Sequence, residues 1–137
     1  MTFLGCFAVV ASLAICPGFA KQRCHEKVCI LDGDTIVVGE EHIRIANIDA
    51  PEIHHFKCDA ERRLAILARQ RLEALLSDGT FKIARGDPDT GRVKDRFGRT
   101  LATISVGEED VGDILISEDL VRPWIGRRQP WCSNGSK

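Results

Sequence analysis

Residues 28–48 read VCILDGDTIVVGEEHIRIANI, and the fold turns on this stretch. β-Branched side chains crowd two runs, Ile36 to Gly39 and His42 to Ile48, on either side of Gly39-Glu40-Glu41, which predicts a hairpin. Val28 to Leu31 supplies a strand before it. From Asp59 the period changes: Leu64, Ala68, Leu72, Leu75 and Leu76 recur at helical spacing, with Asp59 as the N-cap and Gly79 as the stop. Thr80 to Ala84 and Arg99 to Val106 read as two further strands around the turn-rich Asp87-Pro88-Asp89-Thr90-Gly91, and Val111 to Leu120 as a second, shorter helix. This order predicts an α+β, mainly β fold: a five-stranded Greek-key barrel of the OB type, with one helix between strands 3 and 4 and a short helix after strand 5. Such barrels commonly bind oligonucleotides, but fold alone does not separate an enzyme from a binding module.

Composition narrows the setting. All 19 basic and 20 acidic residues lie at or beyond Lys21, because Met1 to Ala20 carries no charged side chain. Phe3 to Ile15 is too short for a bilayer span and leads into Pro17-Gly18-Phe19-Ala20, so residues 1–20 read as a secretory signal peptide and 21–137 as one domain. The expected location is secreted or periplasmic, with no membrane association after the leader is removed. A net charge of −1 excludes a strongly cationic nucleic-acid binder, so any nucleic-acid contact rests on local placement of Arg and Lys.

Two of the six cysteines, Cys6 and Cys16, fall in the leader, leaving Cys24, Cys29, Cys58 and Cys132. An oxidising compartment favours two disulfides among these four, in any of three connectivities. The rival is a metal site using Cys24-His25 and Cys29. Zinc sites usually repeat a close cysteine pair, and Cys58 and Cys132 stand alone.

Carboxylates gather near the first strands, in Asp32-Gly33-Asp34-Thr35 and in Asp49-Ala50-Pro51-Glu52. Four carboxylates on adjacent strand ends repel one another, and a hard cation with oxygen ligands, Ca²⁺ above all, removes that repulsion. Arg44 and Arg99 are placed to face the same side of the barrel. A metal held by carboxylates, one further carboxylate and two guanidinium groups suits phosphodiester cleavage, where an anionic phosphorus centre gains charge in the transition state. Taken one by one, each tetrapeptide is an ordinary turn or loop opening and each Arg an ordinary surface ion pair; their combination is what carries the chemistry.

Asp32-Gly33-Asp34-Thr35, then Arg44 with Asp49-Ala50-Pro51-Glu52, then Asp95-Arg96-Phe97-Gly98-Arg99 resemble, in order and spacing, the staphylococcal nuclease (thermonuclease) family from about Val28 to Trp124. The resemblance implies an OB-type barrel that hydrolyses DNA and RNA with Ca²⁺ as cofactor, single-stranded or frayed segments being preferred. It makes Asp34 and Asp49 direct Ca²⁺ ligands, the Ala50 backbone carbonyl a third, and Asp32 a support acting through water. Glu52 would be the general base, Arg44 and Arg99 would grip the phosphate, and Arg96 and Phe97 would contact substrate. The product would carry a 3′-phosphate and leave a 5′-hydroxyl. The alternative is a catalytically silent nucleic-acid-binding barrel, which has no need of the full set. No obligate protein partner is expected.

The chain departs from that family in having no Tyr beside the nucleotide; Phe97 takes one such place, and Trp124 or Trp131 either offers another stacking face or belongs to the core. Asp119 stands where a helix-ending Gly is usual, and a short Trp131-Cys132 end replaces a long C-terminal helix. His42, His54 and His55 read as solvated, and Asp87, Asp89 and Gly91 as a turn without metal.

Overall fold

Val28–Asp32 (β2) folds back on Thr35–Val38 (β3) across Gly33-Asp34, and β3 folds back on Glu41–Ile45 (β4) across Gly39-Glu40, as the β-branched pattern predicts. Gly39 takes the tight turn at φ 62°, a left-handed conformation that costs glycine little. A computed structural model describes Cys24, His25 and residues 27–133. The expected leader, residues 1–20, lies outside the described residues.

Two short strands, Cys24–His25 (β1) and Ile48–Asp49 (β5), flank this meander, and the helix Asp59–Leu76 (α1) follows. Phe81–Arg85 (β6), Thr100–Val106 (β7), Glu109–Asp110 (β8), the helix Val111–Ser117 (α2) and Arg122–Pro123 (β9) complete the order. The main sheet runs β1-β2-β3-β4-β7-β6, with β8 beside β7, while β5 and β9 form a second small sheet. β4 and β7 pair in parallel, joining the N-terminal meander to the C-terminal hairpin; the other ladders are antiparallel. The five expected strands and two expected helices are all present, in the arrangement of an OB-type α+β fold. Among the described residues no helix is long and apolar enough to cross a membrane.

The core is built from Ile30, Ile36, Ile43, Ile45 and Ile48 on the strands, with Ala68, Leu72 and Leu76 of α1, Ile104 of β7 and Leu115 of α2. Side chains alternate across a strand, so burying Ile36 and Ile43 on one face turns Thr35 and Arg44, which are register partners, to the other. That second face becomes the cleft.

Strands β3, β6 and β7 shift by one residue from the expected bounds, and three departures are structural. The run His42 to Ile48 is broken at Ala46-Asn47, because Asn47 turns its side-chain amide to Asp110 (2.9 Å) and its carbonyl to the Trp124 N–H (2.9 Å). The N-cap of α1 is Cys58, without a side-chain cap hydrogen bond, not Asp59, because Cys58 still has extended backbone. The second helix ends at Ser117, and Asp119 then takes a φ of 58°, the left-handed position normally given to Gly at a helix stop.

Gly33 is required by close approach and not by its φ. A Cβ there would stand 2.8 Å from Ala68 Cβ and 3.0 Å from Ala50 Cβ, so α1 and the Asp49 loop close directly on the turn between Asp32 and Asp34. Gly33→Ala should overpack this contact and cost about 1–3 kcal/mol, a fall of roughly 4–8 °C per kcal/mol in a thermal melt. An Ala68→Gly background should reduce that loss, and strictly additive effects of the two changes would refute the contact argument.

Candidate active site

The acidic half of the site is set by two tight connections. Asp34 is buried at 5% exposure; its carboxylate accepts from the Thr35 hydroxyl (2.9 Å) and, more weakly, from the Ala50 N–H (3.3 Å). The second contact ties the β2–β3 turn to the Asp49 loop. Asp49 is also buried, and burial raises its carboxyl above the ordinary range against the lowering pull of Arg128. Glu52 lies on the loop after β5, half-buried. A residue that sequence reasoning missed holds that loop: the buried Glu61 of α1 accepts from the backbone N–H groups of Glu52 (3.2 Å) and Lys57 (2.7 Å). Its one signal in the sequence is a carboxylate in the first turn of a helix, where backbone donors stand free.

The basic half is preorganised. Arg44 donates to the carbonyls of Ile45 (3.0 Å) and Ile48 (3.1 Å), lies 3.6 Å from Asp34 Oδ2, and stacks its guanidinium 4.9 Å from the Trp124 ring centroid. Trp124 therefore orients an arginine, a role between core filler and nucleotide platform. Arg99 donates through Nε to Asp95 (2.7 Å), which also accepts from the Phe97 and Arg99 N–H groups, so the Asp95–Arg99 turn presents its own arginine. Phe97 is 69% exposed, with the Arg96 guanidinium 4.7 Å from its ring. Trp131 instead lies under Arg122 at 3.8 Å.

Asp32, Asp34, Arg44, Glu52, Arg96, Phe97 and Arg99 line one cleft of about 890 Å³. Asp49 and Ala50 do not line its open part; both are covered by Arg128, the second residue that sequence reasoning missed. Its guanidinium donates to Asp49 Oδ1 (3.1 Å), to the Ala50 carbonyl (3.1 Å) and to Glu52 Oε1. His55 edges the cleft, while His42 and His54 are exposed. Asp87 closes an ordinary turn, accepting from the N–H of Asp89 (2.9 Å) and the hydroxyl of Thr90 (2.8 Å).

The cysteines pair as Cys24–Cys29 and Cys58–Cys132. The first pairing removes the thiolates that a Cys24-His25-Cys29 metal site would need. Cys58, Glu61 and Cys132 lie close enough for three metal ligands, but there too the thiols are bonded to each other.

The donor set of the acidic half suits a hard divalent cation. Asp32 Oδ1 is buried without a hydrogen-bond partner among the described residues. Burial, then the charges of Asp34 and Glu52, push the Asp32 carboxyl up to about 7. The donors that Asp32, Asp34, Asp49, Ala50 and Glu52 offer there are all oxygen, the ligand type that a hard divalent cation takes.

A search of curated proteins finds no match to the chain. The profile of the family described as staphylococcal nuclease homologue matches residues 42–126, a span that carries Arg44, Asp49, Ala50, Glu52 and Arg99 and begins after Asp34. With more than half of its length in that match and the expected fold around it, the chain belongs to the staphylococcal nuclease homologue family.

Proposed function

We propose that the chain is an exported, calcium-dependent nuclease that hydrolyses phosphodiester bonds of DNA and RNA with little sequence specificity. The observation that carries this reading is the meeting, in one cleft, of two anchored arginines with the carboxylates of Asp32, Asp34 and Glu52. Asp34, Asp49 and the Ala50 carbonyl would hold Ca²⁺, with Asp32 acting through water. Bound calcium supplies charge that lowers the cost of bringing a dianionic phosphorus centre next to carboxylates.

Glu52 takes the proton of the attacking water. As the new O–P bond forms and the bond to the 5′ oxygen breaks, Arg44 and Arg99 donate to the phosphate oxygens, and the departing 5′ oxygen is protonated from solvent. A guanidinium keeps its proton at neutral pH, which leaves Arg99 a charge stabiliser and not the acid. Phe97, exposed beside Arg96, offers a base-stacking face that accepts any base, in keeping with low specificity and a preference for unpaired strands. Export is supported by the apolar leader and by two disulfides.

Plasmid DNA and RNA should both be cut in calcium and spared in chelator. Calcium near 100 times its dissociation constant should also stabilise the fold by about 2.7 kcal/mol, raising Tm, and Asp34→Ala or Asp49→Ala should remove both effects. Full calcium binding in both variants would place the cation elsewhere. A second reading, a binding barrel without turnover, is favoured by one observation: Glu52 is engaged by Arg128. Calcium-dependent nucleotide binding with no cleavage would establish it.

A further inference from the structure

We propose that Arg128 is a tethered cation that occupies the acidic site of the metal-free protein, and that a divalent cation binds only by displacing it. The inference rests on the reading of Asp34, Asp49 and Ala50 as the cation's ligands. Two of those three, Asp49 Oδ1 and the Ala50 carbonyl, accept hydrogen bonds from the Arg128 guanidinium, which reaches Glu52 with its third donor. A planar fork of donors thus spans the oxygens that a spherical ion would gather. Both cannot sit there together, because a guanidinium and a divalent ion sharing an oxygen cluster repel at short range.

The contact is built into the chain. Arg128 lies between two fixed points: β9, paired with β5 and followed by the Trp124 N–H bond to the Asn47 carbonyl, and Cys132, bonded to Cys58 ahead of α1. Arg122 of β9 reaches across that loop, donating to the Pro130 carbonyl (3.0 Å) and stacking on the Trp131 ring, which ties the start of the segment to its end. The loop therefore delivers the guanidinium at a high effective concentration. The preceding Arg127 carries the same charge at the edge of the same cleft and makes none of these bonds to Asp49, Ala50 or Glu52.

A plugged site weakens apparent cation affinity by the fraction of molecules left open, so a site open in about one molecule in ten binds about tenfold more weakly than its intrinsic affinity. Isothermal titration of Ca²⁺ into the oxidised full chain should show Arg128→Gln binding about tenfold more tightly than wild type. Arg127→Gln, which removes an equal charge nearby, should stay within about threefold of wild type. In ¹⁵N spectra of the unaltered protein, the Arg128 Nε–H should be held against exchange without calcium and released as calcium is added. Equal gains in the two variants would reduce the effect to general charge and overturn the proposal, as would unchanged or weaker binding by Arg128→Gln, or an Arg128 signal indifferent to calcium. Absence of calcium binding in all three chains would instead overturn the calcium reading itself, and the proposal with it.

Discussion

Arg44→Lys, Arg99→Lys and Glu52→Gln should each lower single-turnover cleavage of a short DNA by about two to four powers of ten. The conservative arginine changes should fail because the structure spends contacts on aiming each fork. Arg44 is held by two backbone carbonyls and the Trp124 face, and Arg99 by the Asp95 carboxylate. A lysine offers a mobile point charge in place of a planar set of donors. Losing one preorganised donor to a developing anion costs about 3–4 kcal/mol, roughly two to three powers of ten in rate. Glu52→Gln keeps the shape and removes the base, so calcium-dependent binding of a nucleotide bisphosphate should persist while turnover falls. Melting curves run beside the kinetics separate chemistry from folding, which matters for the buried Arg44. Near-wild-type cleavage by all three folded variants would sink the catalytic assignment and leave the binding-module reading.

Removal of the Cys58–Cys132 bridge should cost more stability than removal of Cys24–Cys29. It closes a loop of sequence separation 74, against 5 for Cys24–Cys29. Loop-closure entropy assigns about 4 kcal/mol to the long loop and about 2 kcal/mol to the short one. The paired change Cys58→Ser with Cys132→Ser should therefore lower Tm by roughly 15–30 °C, and Cys24→Ser with Cys29→Ser by about half as much. Scanning calorimetry of the two double variants checks the ordering. If the short loop proves the more costly to open, the entropic account is wrong for this chain and native-state packing around the buried Cys58 must dominate.

Much of this molecule was legible residue by residue. The strand runs of residues 28–48, the change to helical period at Asp59 and the stop at Gly79 are local signals, since period and turn chemistry act over a few residues. The two acidic tetrapeptides and Arg99 could be singled out for the same reason: each motif is contiguous, and a strand end or tight turn brings its side chains to one place. Arg44 was singled out with the Asp49-Ala50-Pro51-Glu52 motif that follows it, and alternation along β4, between the buried Ile43 and Ile45, is what turns it to the cleft.

Contacts across long separations were not legible. Four cysteines admitted three pairings, and only the return of the C-terminal segment to the start of α1 selects Cys58–Cys132. The break at Ala46-Asn47 depends on Asp110 and Trp124, far along the chain. Arg128 is the clearest case. It stands in an irregular, exposed, arginine-rich segment, and nothing local distinguishes it from Arg127. Its partner Asp49 lies 79 residues away. Which residues form strands, helices and an acidic cluster follows from local order along the chain; which cation that cluster faces follows from the fold, because it depends on where a disulfide returns the end of the chain.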